Sequence, residues 1–277
     1  MNKLTLTADS GSTKTDWVLH KDGQLINRIS TQGINPFMLN PQDIAQILRD
    51  ELLIDERFAT PDVVNFYGAG CRGELCNVVE LALRRAFPSA KELTVGSDLL
   101  GAAIALCGHN DGIACILGTG SNSGLYLDGE IVKNVSPLGY ILGDEGSGAV
   151  LGRRLIGDVL KGVMPTHLCK AFTEEYGLSV DQIIQRVYRE PLANRFLASF
   201  APFLSRHRKE EVIQALLIDE FARFFRRNVL AYGRTELPVS FVGSVAYYFQ
   251  EELKTAASLH ALTIGRILKN PLDAIIK

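Results

Sequence analysis

The sequence predicts an α/β protein of two lobes with a central cleft, on three observations. Two polar, glycine-containing turns, Asp9-Ser10-Gly11-Ser12-Thr13-Lys14-Thr15 and Gly118-Thr119-Gly120-Ser121-Asn122-Ser123, each lie between two apolar, strand-like runs and so read as hairpin tips. Each hairpin is followed by strands that alternate with helical patterns. A polar, glycine-flanked stretch, Gly108-His109-Asn110-Asp111-Gly112, then separates one arrangement from the other and sets lobes at 1–109 and 110–277, the second with a helical insertion and a last helix that can return to the first. Residue identity between the halves is low, so the repeat is one of organisation.

In order, strands are expected near 3–8, 15–20 and 24–30, a helix over 41–56, a strand at 63–67, a helix over 74–87 and a strand at 93–96. That strand runs into Ser97-Asp98, either of which can cap the following apolar helix. The second half opens with hairpins over 113–134. A helix over 143–162 and a largely helical segment to about 235 follow, then a strand at 239–242, an amphipathic helix over 246–257 and a last strand over 262–268. Val212, Ile213, Leu216, Leu217, Phe221, Phe224 and Phe225 recur at helical spacing, which is core packing, and the interleaved Arg223, Arg226 and Arg227 read as a solvated face. Gly148 and Gly152, four apart, suit tight helix packing.

Composition narrows the function. With 277 residues, 47% of them hydrophobic, the chain can bury a substantial core. A formal net charge of −2 argues against nucleic acid or an anionic membrane as partner, so a polyanionic ligand must be met by local donors. The first apolar run is broken by Asp9, and no later stretch is long and apolar enough to span a bilayer; a cytoplasmic location is the expectation. The five cysteines form no CxxC pair and the five histidines are scattered, so reduced thiols and no zinc site are expected.

The candidate chemistry lies at strand ends and turns. Glycines let a backbone approach a ligand closely, and successive N–H groups with Ser and Thr hydroxyls form a nest for anionic oxygens; the same residues also fill ordinary tight turns. Asp9 can hold a magnesium ion beside phosphates or form an Asx-type turn. Lys14 can neutralise phosphate or extend into solvent. Asp98 stands where a strand gives way to a helix, and there it can accept a proton from an attacking hydroxyl or serve as a cap. Gly143-Asp144-Glu145-Gly146-Ser147 is expected to open a helix, its acids favoured by the helix dipole and its glycines suggesting close approach of a ligand or another backbone. Gly243-Ser244 can let an adenine or ribose lie flat against the chain.

Taken together, Asp9 to Thr15, Leu117-Gly118-Thr119-Gly120-Ser121, Gly143-Asp144-Glu145-Gly146-Ser147 and Val242-Gly243-Ser244-Val245 resemble the actin, hexokinase and Hsp70 ATPase superfamily. Within it, the chain looks like the N-acetylglucosamine kinase branch, grouped with the BadF/BadG-type ATPases, in motif order over nearly its whole length. The resemblance implies two ribonuclease-H-like lobes closing on ATP and a sugar. The ATP phosphates would go to Asp9, Gly11, Ser12, Thr13, Lys14 and Thr15 and to Gly118, Thr119 and Gly120, with Mg2+ at Asp9 and the adenosine beside Gly243 and Ser244. Asp98 would be the catalytic base. Asn35, Ser121, Asn122 and Asp144 would bind the sugar, whose 6-hydroxyl is the acceptor. A homodimer is implied as well. Two positions depart from the family pattern. Ser136-Pro137-Leu138-Gly139-Tyr140 lacks a Gly-Gly-Trp-Gly character, and Asp273 stands where bacterial relatives usually carry glycine. An ATPase activator of the BadF type would present cysteines in a Cys-Ala-Ala-Gly-like segment, a context that none of the five has. A nucleotide-dependent sensor would keep both turns without requiring Asp98.

Overall fold

Two aspartate–glycine turns set the pattern of both sheets. Asp22 and Gly23 (φ 50° and 81°), and Asp128 and Gly129 (φ 51° and 86°), take the paired positive φ angles of the tight hairpin turn whose twist matches that of its strands. The first joins β2 (Lys14–Lys21) to β3 (Gln24–Gln32), behind β1 (Leu4–Ser10); the second joins β7 (Ser121–Leu127) to β8 (Glu130–Val135), behind β6 (Gly112–Leu117). With β4 (Val63–Gly68) and β5 (Glu92–Ser97), the first sheet has the order β3-β2-β1-β4-β5. With β9 (Val239–Val242) and β10 (Ile264–Leu268), the second runs β8-β7-β6-β9-β10, the same order. In each, the three leading strands are antiparallel neighbours and the next two run parallel to the first.

The helices are α1 (Pro41–Ile47), α2 (Leu75–Ala86), α3 (Asp98–Cys107), the single turn α4 (Gly139–Leu142), α5 (Gly148–Leu160), α6 (Thr166–Tyr176), α7 (Val180–Tyr188), α8 (Ala193–Ala198), α9 (Ala201–Arg206), α10 (Glu211–Phe224), α11 (Ser244–Tyr248) and α12 (Gln250–Ser258). This computed structural model describes residues 3–11 and 13–274. Chain contacts divide it into one unit of Met1–Gly108 with Asn270–Lys277 and another of His109–Lys269. Each has its own core. Trp17, Phe58, Phe66 and Leu48 anchor the first; Phe200, Phe203, Phe221, Phe224, Phe225 and Phe241 anchor the second. Among the described residues no helix is long and apolar enough to cross a membrane.

Three expectations need correcting. The helix over 41–56 is shorter: Asn40 and Asp43 form a reciprocal capping box, but after Ile47 the chain widens into a π turn, Leu48–Leu52, with both of those leucines fully buried. The helix over 143–162 begins only at Gly148, because Ser147 is its cap and accepts the Val150 N–H (3.2 Å). The arginines of the 211–232 segment are not merely a solvated face. Arg223 reaches the fully buried Glu220 (3.3 Å), and Arg227 reaches the buried Glu145 (2.5 Å), while Arg226 is exposed. Gly152 meets its packing role: a Cβ there would collide with the Leu197 carbonyl of α8.

The last described element belongs to the first unit. Pro271–Ala274 is a 3-10 turn with Leu272 buried; Asn270 Nδ2 donates to Asp16 Oδ2 (3.1 Å), and Asp273 pairs with Arg28 (3.1 Å).

Candidate active site

In the first unit, the parallel strands finish together. The register sets Asp9 opposite Tyr67, Ser10 opposite Gly68, and Gly68 opposite Ser97. Asp9 and Asp98 therefore share the carboxyl edge on either side of β4: Gly96 is level with Asp9 across Tyr67, and Asp98 follows two residues on. Ser97 takes the capping duty, accepting the Leu100 N–H (3.1 Å), while Asp98 Oδ1 accepts the Leu99 N–H (2.8 Å). Burial raises the Asp98 carboxyl above its ordinary range, against two backbone N–H groups and the charge of Arg72. Asp9 is pushed up to about 7, first by burial and then by Asp98 and Asp16, with Lys14 and Arg28 opposing.

The first turn is braced from behind. The Gly11 N–H donates to Lys14 O and the Gly33 N–H to Thr13 O, both at 3.0 Å. Thr15 Oγ1 meets Ser10 Oγ (2.7 Å), donates to Gln32 O (3.1 Å) and accepts the Ile34 N–H (3.2 Å), so its hydroxyl holds the turn in shape. Lys14 pairs with Asp16 at 2.9 Å rather than extending free into solvent. Ser12 lies outside the described residues. Ser10 Oγ also bonds Ile34 O (3.0 Å), which fixes the loop carrying Asn35 beside this tip. Asn35 Oδ1 accepts the Phe37 N–H (3.0 Å) and occupies the space a Cβ on Gly70 would need.

In the second unit the Gly118 turn is tied down by α5. The Gly148 N–H donates to Gly118 O (2.8 Å) and the Ala149 N–H to Thr119 O (3.1 Å), so the first donors of α5 are spent on positioning the turn. Gly243 (φ 119°) follows β9 so closely that a Cβ would collide with Leu117 O, which brings Ser244 beside Gly118. Gly118, Thr119, Ser244, Val245, Tyr248 and Phe249 share a cleft of about 450 Å³ with Ala198, Ala201, Pro202, Ser205 and Arg206 from α8, α9 and the link between them. The mostly apolar wall with a polar glycine turn at one end suits a flat base attached to phosphates. The α8–α9 residues escaped sequence reading because nothing in their spacing separates a cleft wall from helical core.

Asp144 does not open a helix. It sits at φ 52° in a loop whose Gly143 approaches Pro137 O, so Gly143 accommodates another backbone, while Gly146 (φ 73°) turns the chain against the side chains of Leu117, Phe221 and Phe224. Its carboxylate accepts the Ser121 and Gly139 N–H groups, and lies 3.1 Å from where a Cβ on Gly120 would stand. Burial first, then Glu145, pushes it up to about 6. Ser121, at the start of β7, is buried. Asn122 Oδ1 accepts from the Ser123 N–H and from Asn134 Nδ2, both at 2.9 Å. The unit thus gathers Gly118, Thr119, Gly243 and Ser244 at one place, and Gly120, Ser121 and Asp144 at an adjoining one.

No family model matches the chain. A glucosamine kinase of Vibrio cholerae is 31% identical over 129 residues, which is 45% of this chain and 42% of that protein, so the match spans less than half of that relative. Among solved structures, a Porphyromonas gingivalis protein provisionally named as an N-acetylglucosamine kinase is 48% identical, with a TM-score of 0.95 over 98% of this chain and 97% of that one. A Chromobacterium violaceum protein with the same provisional name, 21% identical, matches at TM-score 0.76 over 99% and 98% of the two chains and shares the fold. Two sheets of one repeated order, and 48% identity along nearly the full length of both chains, place this protein in the N-acetylglucosamine kinase-like family, grouped with the BadF/BadG-type ATPases of the actin-like fold.

Proposed function

We propose that the protein transfers the γ-phosphoryl group of ATP to the 6-hydroxyl of an amino sugar, N-acetylglucosamine first. The observation that carries this reading is the placement of Asp98 on the carboxyl edge of the first sheet, with Ser97 relieving it of the cap and burial raising its basicity. In this reading Asp98 accepts the proton of the 6-hydroxyl as that oxygen attacks phosphorus, and ADP leaves. Phosphoryl transfer demands little covalent work of the protein, so positioning and neutralisation of charge supply most of the acceleration. Gly118 and Thr119 would cradle phosphate oxygens, Ser244 would border the ribose, and Asn35, Ser121, Asn122 and Asp144 would orient the sugar.

The acidic edge fits a magnesium ion. Asp9 is crowded by burial and by two other carboxylates, a cost that a divalent cation removes, and the described residues contain no cluster of three or more ligating side chains that could hold a metal without the phosphates. When bound, the ion would neutralise charge on the phosphate oxygens, with Asp9 as its protein ligand. A homodimer and a cytoplasmic location complete the reading, on family resemblance.

The test is ATP consumption across a panel of hexoses and amino sugars, for the parent protein and for Asp98→Asn. Turnover stimulated by N-acetylglucosamine or glucosamine, falling by about 10²- to 10⁴-fold in the variant while nucleotide binding persists, is the expected result. Sugar-independent hydrolysis that Asp98→Asn leaves unchanged would sink the kinase reading. Asp9→Asn is expected to lose the magnesium-dependent part of nucleotide affinity, read by titration with and without the ion.

A further inference from the structure

A group of charges around one buried carboxylate, beside the Asp144 loop, has no part in the chemistry above. Glu220 of α10 is completely buried. Its Oε1 accepts the Gly146 N–H (3.3 Å), and its Oε2 takes Arg154 (2.7 Å) and Arg223 (3.3 Å). Arg154 also holds Asp219 (2.7 Å). The neighbouring Arg153 turns to the other end of the same loop, where it donates to Tyr140 O (2.6 Å), one of the carbonyls at the end of α4. Two successive arginines of α5 thus serve the two flanks of segment 137–147, one directly and one through Glu220.

That segment needs holding. Leu138 (φ 63°) and Asp144 (φ 52°) are non-glycine residues in the left-handed region, a strained state that persists only where the surroundings over-determine it. Ion pairs to a buried carboxylate add little net stability compared with apolar packing, and their best-attested use is to fix one arrangement among several. Here the arrangement fixed is that of Asp144, whose carboxylate is held against the Ser121 N–H.

We propose that Glu220 and Arg153 are positioning residues that clamp segment 137–147 and thereby set the affinity for the sugar acceptor. The proposal rests on the amino-sugar kinase reading. Neither side chain touches the acceptor; both act through the backbone that carries Asp144.

The experiment pairs steady-state kinetics with amide hydrogen exchange on the full chain. Arg153→Ala, at an exposed side chain, is expected to raise the KM for the sugar at least fivefold with the KM for ATP within twofold of the parent. Glu220→Ala is expected to raise it at least tenfold, and Glu220→Gln, which keeps an oxygen for the Gly146 N–H, to recover part of the loss. Exchange over 137–147 should speed at least tenfold in Arg153→Ala and Glu220→Ala while 148–160 is unchanged. Unaltered exchange over 137–147 in Arg153→Ala, or KM values for sugar and ATP that rise together, would overturn the clamp. Should Glu220→Ala fail to fold, Arg153→Ala and Glu220→Gln decide the matter. Sugar-independent ATP hydrolysis that is the same in the parent and in Asp98→Asn sinks the kinase reading, while the exchange result still decides whether the clamp exists.

Discussion

At the scale of single residues, Asp9 and Asp98 at the edge of the first sheet are set against their own ionisation, and this has a sign that can be measured. Asp9 moves from an ordinary 3.8 to about 7. Between those values the folded protein keeps a proton that the unfolded chain has released, so stability falls as pH rises from about 4 to 7. Asp9→Asn is therefore expected to melt above the parent at pH 8, with the gap closing as pH is lowered toward 4; a gap that widens on acidification would refute the assignment. Activity should move the other way, rising with pH as Asp98, whose carboxyl burial holds above its ordinary range, loses its proton. Most of these residues were legible, since Asp9, Asp98 and the two glycine turns each stand at the junction of an apolar run and a polar break. Ser97 and Asp98 were indistinguishable as caps until geometry assigned the duty to Ser97. Arg223 and Arg227 were illegible because helical spacing gives a side chain its face but not its partner, and both partners, Glu220 and Glu145, are acids that composition alone would send to the surface.

At the scale of elements, glycines decide how closely pieces approach. Gly243→Ala would bring a side chain against Leu117 O at a φ of 119°, and it is expected to cost about 2 kcal/mol or more and to weaken nucleotide binding, because Gly118 follows Leu117 directly. Gly152→Ala would push α5 from α8 and is expected to destabilise by about 1–3 kcal/mol. Denaturant titration checks both. A Gly243→Ala protein with parental stability and nucleotide affinity would show that the β6 and β9 ends yield more than their spacing suggests. The strands were placed nearly to the residue by their apolar runs, as were the starts of α1, α2 and α3, whereas the start of α5 was not. Asp144 and Glu145 look like a dipole-favoured first turn, and only the Ser147 hydroxyl on the Val150 N–H reveals that the helix begins later. The π turn at Leu48–Leu52 leaves no mark on hydrophobic period, since both of its leucines fit an unbroken helix as well.

At the scale of the molecule, the repeat is the main fact. Both sheets carry the order third-second-first-fourth-fifth and join their second and third strands through Asp-Gly, a pairing visible in the sequence at 22–23 and 128–129 even though the halves share little else. The first unit is discontinuous, because Asn270 to Ala274 return to it and seat Leu272. Leu272→Ala is expected to cost about 2–5 kcal/mol, with Asp273→Ala milder at an exposed ion pair; equal effects from the two would show that charge, not burial, secures the segment. During synthesis, domains ordinarily fold as they leave the ribosome, N-terminal first. Here the strands β1 to β3 cannot gain the Asn270 bond to Asp16, or cover the seat of Leu272, until translation has passed through the whole second unit. Of the two units, the one begun earlier is therefore completed later, and a nascent chain stalled before residue 270 would expose an open seat to chaperones and proteases.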